Sequence, residues 1–359
     1  MTRGAPFASR HEVTSDNAQT YEEADMNRSC TTPNLQTLRR ALAATLLVSL
    51  IAATVGLATP AWAEPFFFST GNPDGLLGAL SQPAGGGTLE TETADDFALT
   101  ATTSIATATI FGLIPEGTSL ARIENVEVEI YHVFPGDSDV SRTSGPPNFS
   151  TSQVPTRVNS PADNEIDTAT RDGSQGTLRV TASVVKPGVS VANSVVSGIN
   201  PTPNNVTRGE GARTGDLVEI TITFTPPILL PADNYFFRPQ VSVEGGEFLY
   251  VSAPKPILAP GTPFASDRQS WIRNSALSPD WLRIGKDIIG GNPAPAFNQA
   301  FSLTGETVPN AGTPGQPNCH GESVSAMAHQ FGSIAAAASP LGFASVAALQ
   351  DGFKTFCTP

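Results

Sequence analysis

The sequence predicts a mainly β protein: an antiparallel, jelly-roll-like β-sandwich followed by a small helical hairpin closed by a disulfide bond. Short runs of alternating apolar and polar residues recur from residue 66 to about 305, after which the apolar residues recur every three or four positions. A period of two is typical of half-buried antiparallel strands, and a period near 3.6 is typical of amphipathic helices. Roughly eight to ten strands with no helix between them imply two packed sheets.

The N-terminal region is typical of a secretory signal peptide, over residues 26–63. Arg39 and Arg40 precede an apolar run that ends at Ala58, and Ala61-Trp62-Ala63 forms a small-x-small cleavage site ending at Ala63. The alternative is a retained transmembrane helix, for which the run is short. Residues 1–25 show no periodicity and are interpreted as a disordered leader or a mis-called start. We therefore expect a secreted protein, extracellular or periplasmic, that leaves the membrane after cleavage.

The charge of the chain excludes two classes of partner. It holds 33 acidic and 20 basic residues, for a net charge of −13. Nucleic acids and anionic membranes repel such a chain, so neither is expected as a partner. Cations, neutral glycans and simple solubility are all compatible with it. The oligomeric state is not indicated by the sequence.

Residues 64–306 contain the predicted sandwich. In the clearest strand, Val218, Ile220, Ile222 and Phe224 alternate with polar residues. Two polar segments interrupt the rhythm and are predicted to be long surface loops, residues 135–176 and 190–215. The main strand candidates centre on residues 126–130, 178–184, 218–224, 235–243 and 297–303.

The last part of the chain is predicted as a linker, residues 307–318, and a helical hairpin, residues 319–359. Apolar residues step by three and four from Val324 to Ala338 and again from Val346 to Phe356. The two ends of an antiparallel hairpin lie side by side, so Cys319 and Cys357 are placed to form a bridge in an oxidising compartment. Two unrelated thiols are the alternative.

One segment combines aromatic, basic and amide side chains, as sugar-binding sites do. It contains Trp271, Arg273 and Asn274, with Trp281 and Arg283 close behind in sequence. An exposed indole stacks on the apolar face of a pyranose while polar groups hold its hydroxyls. The segment therefore predicts a sugar-binding platform. The alternative is that these large residues cover the end of the sandwich.

An acidic cluster in the first polar segment suggests a calcium site. Asp163, Glu165 and Asp167 place carboxylates at alternate positions, which suits a hard cation. The alternative is solvated loop charge. No other cofactor is expected.

No catalytic motif supports an enzyme. The chain lacks a Gly-x-Ser-x-Gly elbow, a His-Glu-x-x-His zinc motif, a phosphate loop and a Cys-x-x-Cys pair. Paired carboxylates such as Asp95 and Asp96, or Glu127 and Glu129, are of the kind that serve a glycosidase. Carboxylates on an outward strand face are more often simply solvated.

Three short motifs resemble those of a known group of proteins. Residues 94–97 (Ala-Asp-Asp-Phe) with Ile105, residues 110–113 (Ile-Phe-Gly-Leu) and residues 300–305 (Ala-Phe-Ser-Leu-Thr-Gly) look like the first and last strands of secreted bacterial β-sandwich proteins, which often carry PEP-CTERM or related sorting tails. The resemblance implies an exported module of uncharacterised function. The chain departs from the group after Gly305, where the linker and the cysteine-bracketed helices replace the sorting tail. This difference favours release over surface anchoring.

Together these features predict an exported, non-enzymatic β-sandwich protein that binds a glycan or another cell-envelope component. Two alternatives stay open. One is a carbohydrate-active hydrolase or lyase on a jelly-roll scaffold, and the other is a structural component of an extracellular matrix.

Overall fold

A computed structural model describes residues 64–85, 89–142, 154–199, 206–255, 268–308 and 312–358. The predicted leader, signal peptide and cleavage site at Ala63 lie outside these residues. The strands, in chain order, are β1 (Pro65–Ser69), β2 (Leu77–Leu80), β3 (Thr91–Ala98), β4 (Thr103–Ile114), β5 (Ile123–His132), β6 (Arg171–Asp172), β7 (Leu178–Val191), β8 (Asn193–Val195), β9 (Arg213–Leu230), β10 (Asn234–Val243), β11 (Leu249–Ala253), β12 (Trp271–Asn274), β13 (Leu282–Arg283), β14 (Asn298–Gln299) and β15 (Phe301–Thr307).

The strands form two sheets, as the alternating pattern predicts. One sheet follows the order β1-β15-β4-β11-β2-β8, with β9 beside β4 and β7 beside β9; the other follows β13-β12-β3-β10-β5-β6. Neighbouring strands are antiparallel except β2 and β8, which run parallel. The prediction of an antiparallel β-sandwich is confirmed.

The main core lies between the two sheets and is supplied by alternate residues of each strand. Val126, Val128 and Ile130 of β5 face inward, and Ile220 and Ile222 of β9 meet them from the other sheet. Burying each such side chain contributes roughly 1.5–3 kcal/mol. Because the inner face is apolar, the residues between them on β5, and their counterparts on β3, β10 and β12, lie on the outer face of the six-stranded sheet.

The first polar segment covers that outer face instead of forming a solvated loop. Val154 and Ala162 are fully buried, and the Arg157 residue is only 3% exposed. The segment then ends in β6, which pairs with β5. Buried polar side chains of this segment pair with one another, as Arg157 does with Asp163. The prediction of a solvated surface loop is therefore wrong for the buried part of residues 154–172, although Asn159, Asn164 and Asp167 are exposed. Residues 143–153 lie outside the described part of the chain.

The second polar segment is also more regular than predicted. β7 extends to Val191, and β8 pairs with β2 directly after it. β9 begins at Arg213, so residues 190–191, 193–195 and 213–215 belong to strands.

The C-terminal helices are closed by a disulfide between Cys319 and Cys357, with the Cα atoms 5.6 Å apart, as predicted. There are three described helices rather than two: α1 (Cys319–Phe331), α2 (Ile334–Ala338) and α3 (Val346–Cys357). The predicted first helix breaks at Gly332, which takes a left-handed conformation with φ of +77°, and Ser333 caps the next helix.

The helical unit packs against the sandwich. Met327, Leu349 and Phe353 form its core, together with Val308 and the half-buried Leu229 near the end of β9. The predicted linker is therefore partly structural, because Thr307 still belongs to β15 and Val308 is buried. In the part of the chain that the structure describes, no helix is both long enough and apolar enough to cross a membrane.

Candidate functional site

A cavity of about 560 Å³ lies beside β12 and β13. This volume falls within the range of about 300–1,000 Å³ that small-molecule sites span. Trp271 forms part of its wall. The polar lining consists of Thr156, Asn159, Lys255, Arg268, Gln269 and Arg283. Two of the predicted ligand-binding residues, Trp271 and Arg283, thus meet at one cavity.

The strand register explains why these two residues meet. Trp271 of β12 pairs with Arg283 of β13 on one side and with Ala94 of β3 on the other. The connection between β12 and β13 turns at Asn274, whose Oδ1 accepts the Leu277 backbone N–H at 3.0 Å. Asn274 therefore shapes the turn and does not line the cavity.

Carboxylates hold two of the cavity's cations in place. Asp287 accepts hydrogen bonds from Arg283 Nε at 2.9 Å and from Nη2 at 2.7 Å. Asp96 accepts the backbone N–H of Arg268 at 3.1 Å, and its Oδ2 lies 3.8 Å from Arg268 Nη1. The two hydrogen bonds to Asp287 hold the Arg283 guanidinium in one orientation, which preorganises its remaining N–H groups, whereas Asp96 fixes the backbone of Arg268.

Three buried N–H groups, on two residues that line the cavity, have no hydrogen-bond acceptor among the described residues. They are the Trp271 indole Nε1 and the Nε and Nη1 of Arg268. Leaving a buried donor without an acceptor costs about 1–3 kcal/mol. Donors of this kind are rare in folded proteins and mark places where an acceptor is expected.

The predicted aromatic platform is wrong. Trp271 is 1% exposed and Trp281 is 2% exposed, so neither ring presents a face to a sugar. The reason is the segment 154–172, which covers this side of the sheet. The Trp281 indole donates to the Ala162 carbonyl at 3.0 Å within that segment.

The other predicted arginine, Arg273, lies in a group of buried charges that we call the sealed cluster. The members of the sealed cluster are Glu92, Glu129, Tyr131, Arg238 and Arg273. Arg238 Nη2 lies 2.9 Å from Glu92 Oε1 and also contacts Glu129, while Arg273 contacts Glu92 and donates to the Tyr131 hydroxyl at 2.8 Å. The Arg273 guanidinium also lies 4.3 Å from the centroid of the Trp281 ring. The sealed cluster is covered by protein and offers no surface to a ligand.

The sealed cluster shifts several pKa values. Burial favours a raised pKa for Glu92, but the charges of Arg238 and Arg273 outweigh it and hold the pKa below its usual range. Burial and the nearby Glu92 carboxylate raise the pKa of Tyr131 well above its usual value. At the rim, burial raises the pKa of Glu127 to about 7, against the attraction of Arg238 and with a further upward contribution from Glu129.

The predicted calcium site does not form. Asp163 is buried and its Oδ1 is bound by Arg142 at 2.9 Å and also by Arg157. Two arginines already neutralise its charge, which leaves no demand for a cation. Asp167 begins a short 3-10 turn at an exposed position, away from such pairing. Among the described residues, Asp163, Glu165 and Asp167 do not gather into a group that could hold a metal ion.

Sequence reasoning missed Lys255, Arg268 and Gln269, because they belong to no motif. Only the fold brings them to Trp271 and Arg283. The sequence held one weak signal: basic residues are few in a chain of net charge −13, so each of them is a candidate for a specific role.

Comparisons with known proteins identified no relative of this chain. Neither a scan against models of protein families nor searches of curated proteins and solved structures found a match. The resemblance to secreted PEP-CTERM-type proteins therefore stays a prediction.

Proposed function

We propose that this protein is an exported, non-enzymatic β-sandwich protein that binds a glycan or another cell-envelope component in the cavity beside β12 and β13. The observation that carries the proposal is the group of buried N–H donors without acceptors on Trp271 and Arg268, which line that cavity. Sugar hydroxyls and carboxylates supply acceptors of the kind that these donors need.

Export is supported by the Cys319–Cys357 disulfide, because such bonds form and persist in oxidising compartments. The predicted signal peptide at residues 26–63 agrees with this compartment. Thr156, Asn159 and Gln269 supplement the charged lining with neutral hydrogen-bonding groups, which suit a hydroxyl-rich ligand.

Binding is favoured over hydrolysis or elimination by the chemistry of the lining. No carboxylate, histidine or tyrosine belongs to the described lining of the cavity. Acid–base catalysis on a glycosidic bond needs such groups within hydrogen-bond reach of the substrate. The paired carboxylates Glu127 and Glu129 face Arg238 instead of the cavity.

A glycan array tests the proposal, with turnover assays on the same polysaccharides. We expect binding without turnover, and a loss of at least about ten-fold in affinity for Arg268→Gln, since a buried hydrogen bond to a charged group contributes about 1.5–3 kcal/mol. Arg179→Gln is the matched control, because Arg179 is exposed on β7 away from the cavity. Retained affinity in Arg268→Gln, or no binding to any glycan, would overturn the proposal.

A further inference from the structure

The charge of the cavity points to a narrower class of ligand. Lys255, Arg268 and Arg283 all line it, and no carboxylate does so among the described residues. A concentration of positive charge in a chain of net charge −13 attracts an anionic group.

The pairing of the two arginines limits how much negative charge the ligand carries. Asp287 binds Arg283 through two hydrogen bonds, and Asp96 lies 3.8 Å from Arg268. Much of the guanidinium charge is therefore already offset. A singly charged carboxylate fits such a site better than a doubly charged phosphate.

The two buried indoles on this side of the sheet differ in whether a described residue accepts their N–H. Trp271 is 1% exposed and carries a buried N–H with no acceptor in the described part of the chain. Trp281, on the same side of the sheet, has the same indole group but donates to the Ala162 carbonyl. The two indoles therefore differ: that of Trp281 donates to a protein carbonyl, whereas that of Trp271 has no acceptor among the described residues.

We infer that the ligand is an acidic saccharide, bound through the carboxylate of a uronic acid unit. The carboxylate accepts hydrogen bonds from Arg268 and Trp271, while Asn159 and Gln269 hold neighbouring hydroxyls. A cavity of about 560 Å³ has room for a short stretch of the saccharide chain. This inference rests on the proposed function and specifies its substrate class.

Titration of the protein with matched acids and esters tests the acidic ligand. The probes are uronate oligomers and the methyl ester of each, which keeps the sugar and loses the charge. We expect the acids to bind at least about ten-fold more tightly, equivalent to about 1.4 kcal/mol. In ¹H–¹⁵N spectra the indole cross-peak of Trp271 should move, while that of Trp281 should stay, because its N–H already has an acceptor.

The outcomes separate this inference from the proposed function. Equal binding of acids and esters, or binding of neutral glycans alone, would overturn the acidic ligand and leave glycan binding intact. A preference for the acids with an unmoved Trp271 cross-peak would overturn this cavity as the site. No binding of acids, esters or neutral glycans would overturn both.

Discussion

Two groups of arginines lie on the same side of the six-stranded sheet and differ in how their hydrogen bonds are used. In the sealed cluster, Arg238 and Arg273 contact Glu92, and both guanidiniums are covered by protein. At the cavity, Arg268 keeps two buried N–H groups without an acceptor among the described residues. Trp271 and Arg273 lie only two residues apart on β12, so the cavity and the sealed cluster are neighbours on one strand.

The contrast separates a structural role from the proposed binding role. Buried charges that are paired and hydrogen-bonded hold the segment 154–172 onto the sheet, as when Arg273 Nη1 donates to the Asp163 carbonyl at 3.2 Å. Buried donors without partners add nothing to stability by themselves. Residue type alone therefore does not indicate function here, whereas the partners of each residue do.

Replacing Arg238 with Met should have the largest effect on stability. Glu92 and Glu129 would lose the cation that they share, and breaking a buried pair in this way costs about 3–5 kcal/mol. Arg268→Met at the cavity should cost about 1 kcal/mol or less, because fewer protein partners are lost. Urea denaturation, with equal m-values for the variants, measures the difference. Equal losses in the two variants would remove the distinction between sealed cluster and cavity.

Replacing each indole tests the same distinction with one chemical change. Trp281→Phe removes a hydrogen bond to the Ala162 carbonyl, whereas Trp271→Phe removes an N–H that has no acceptor in the described chain. Both lose a similar ring area, so Trp281→Phe should destabilise the free protein by about 1–2 kcal/mol more. Thermal or urea unfolding of the two variants gives the value. A larger loss for Trp271→Phe would mean that its N–H has a partner after all.

The strands and the disulfide could be predicted because local patterns determine them. Val218, Ile220 and Ile222 alternate strictly, and Cys319 and Cys357 bracket two amphipathic segments. The covering role of residues 154–172 could not be predicted. It depends on pairs such as Arg157 with Asp163, and in sequence such residues look like a solvated loop.

The candidate site was only half predictable for a related reason. Trp271 and Arg283 stand out because aromatic and cationic residues occur close together in sequence. Lys255 and Arg268 come from separate positions and reach the cavity through the fold. Arg273 and Trp281 share the sequence signal but are buried with protein partners, which no local pattern reports.

The smallest predicted effect concerns Glu127 at the rim of the sealed cluster. Burial raises its pKa from 4.5 to about 7, and Arg238 only partly opposes this because Glu129 lies close by. Between these two pH values the folded protein holds a proton that the unfolded chain has released. The free energy of unfolding should therefore fall as the pH rises through this window.

Glu127→Gln removes this titration and should flatten that slope. Relative to the native protein, the variant should gain roughly 1 kcal/mol between pH 5 and pH 8, after the shift is discounted for the partial exposure of this side chain. Glu124→Gln, an exposed neighbour on β5, is the control and should leave the slope unchanged. Urea unfolding across this pH range measures both variants. If Glu127→Gln keeps the native slope, the Glu127 carboxylate is ionised throughout this pH range. The two arginines of the sealed cluster would then tolerate a third ionised carboxylate beside Glu92 and Glu129.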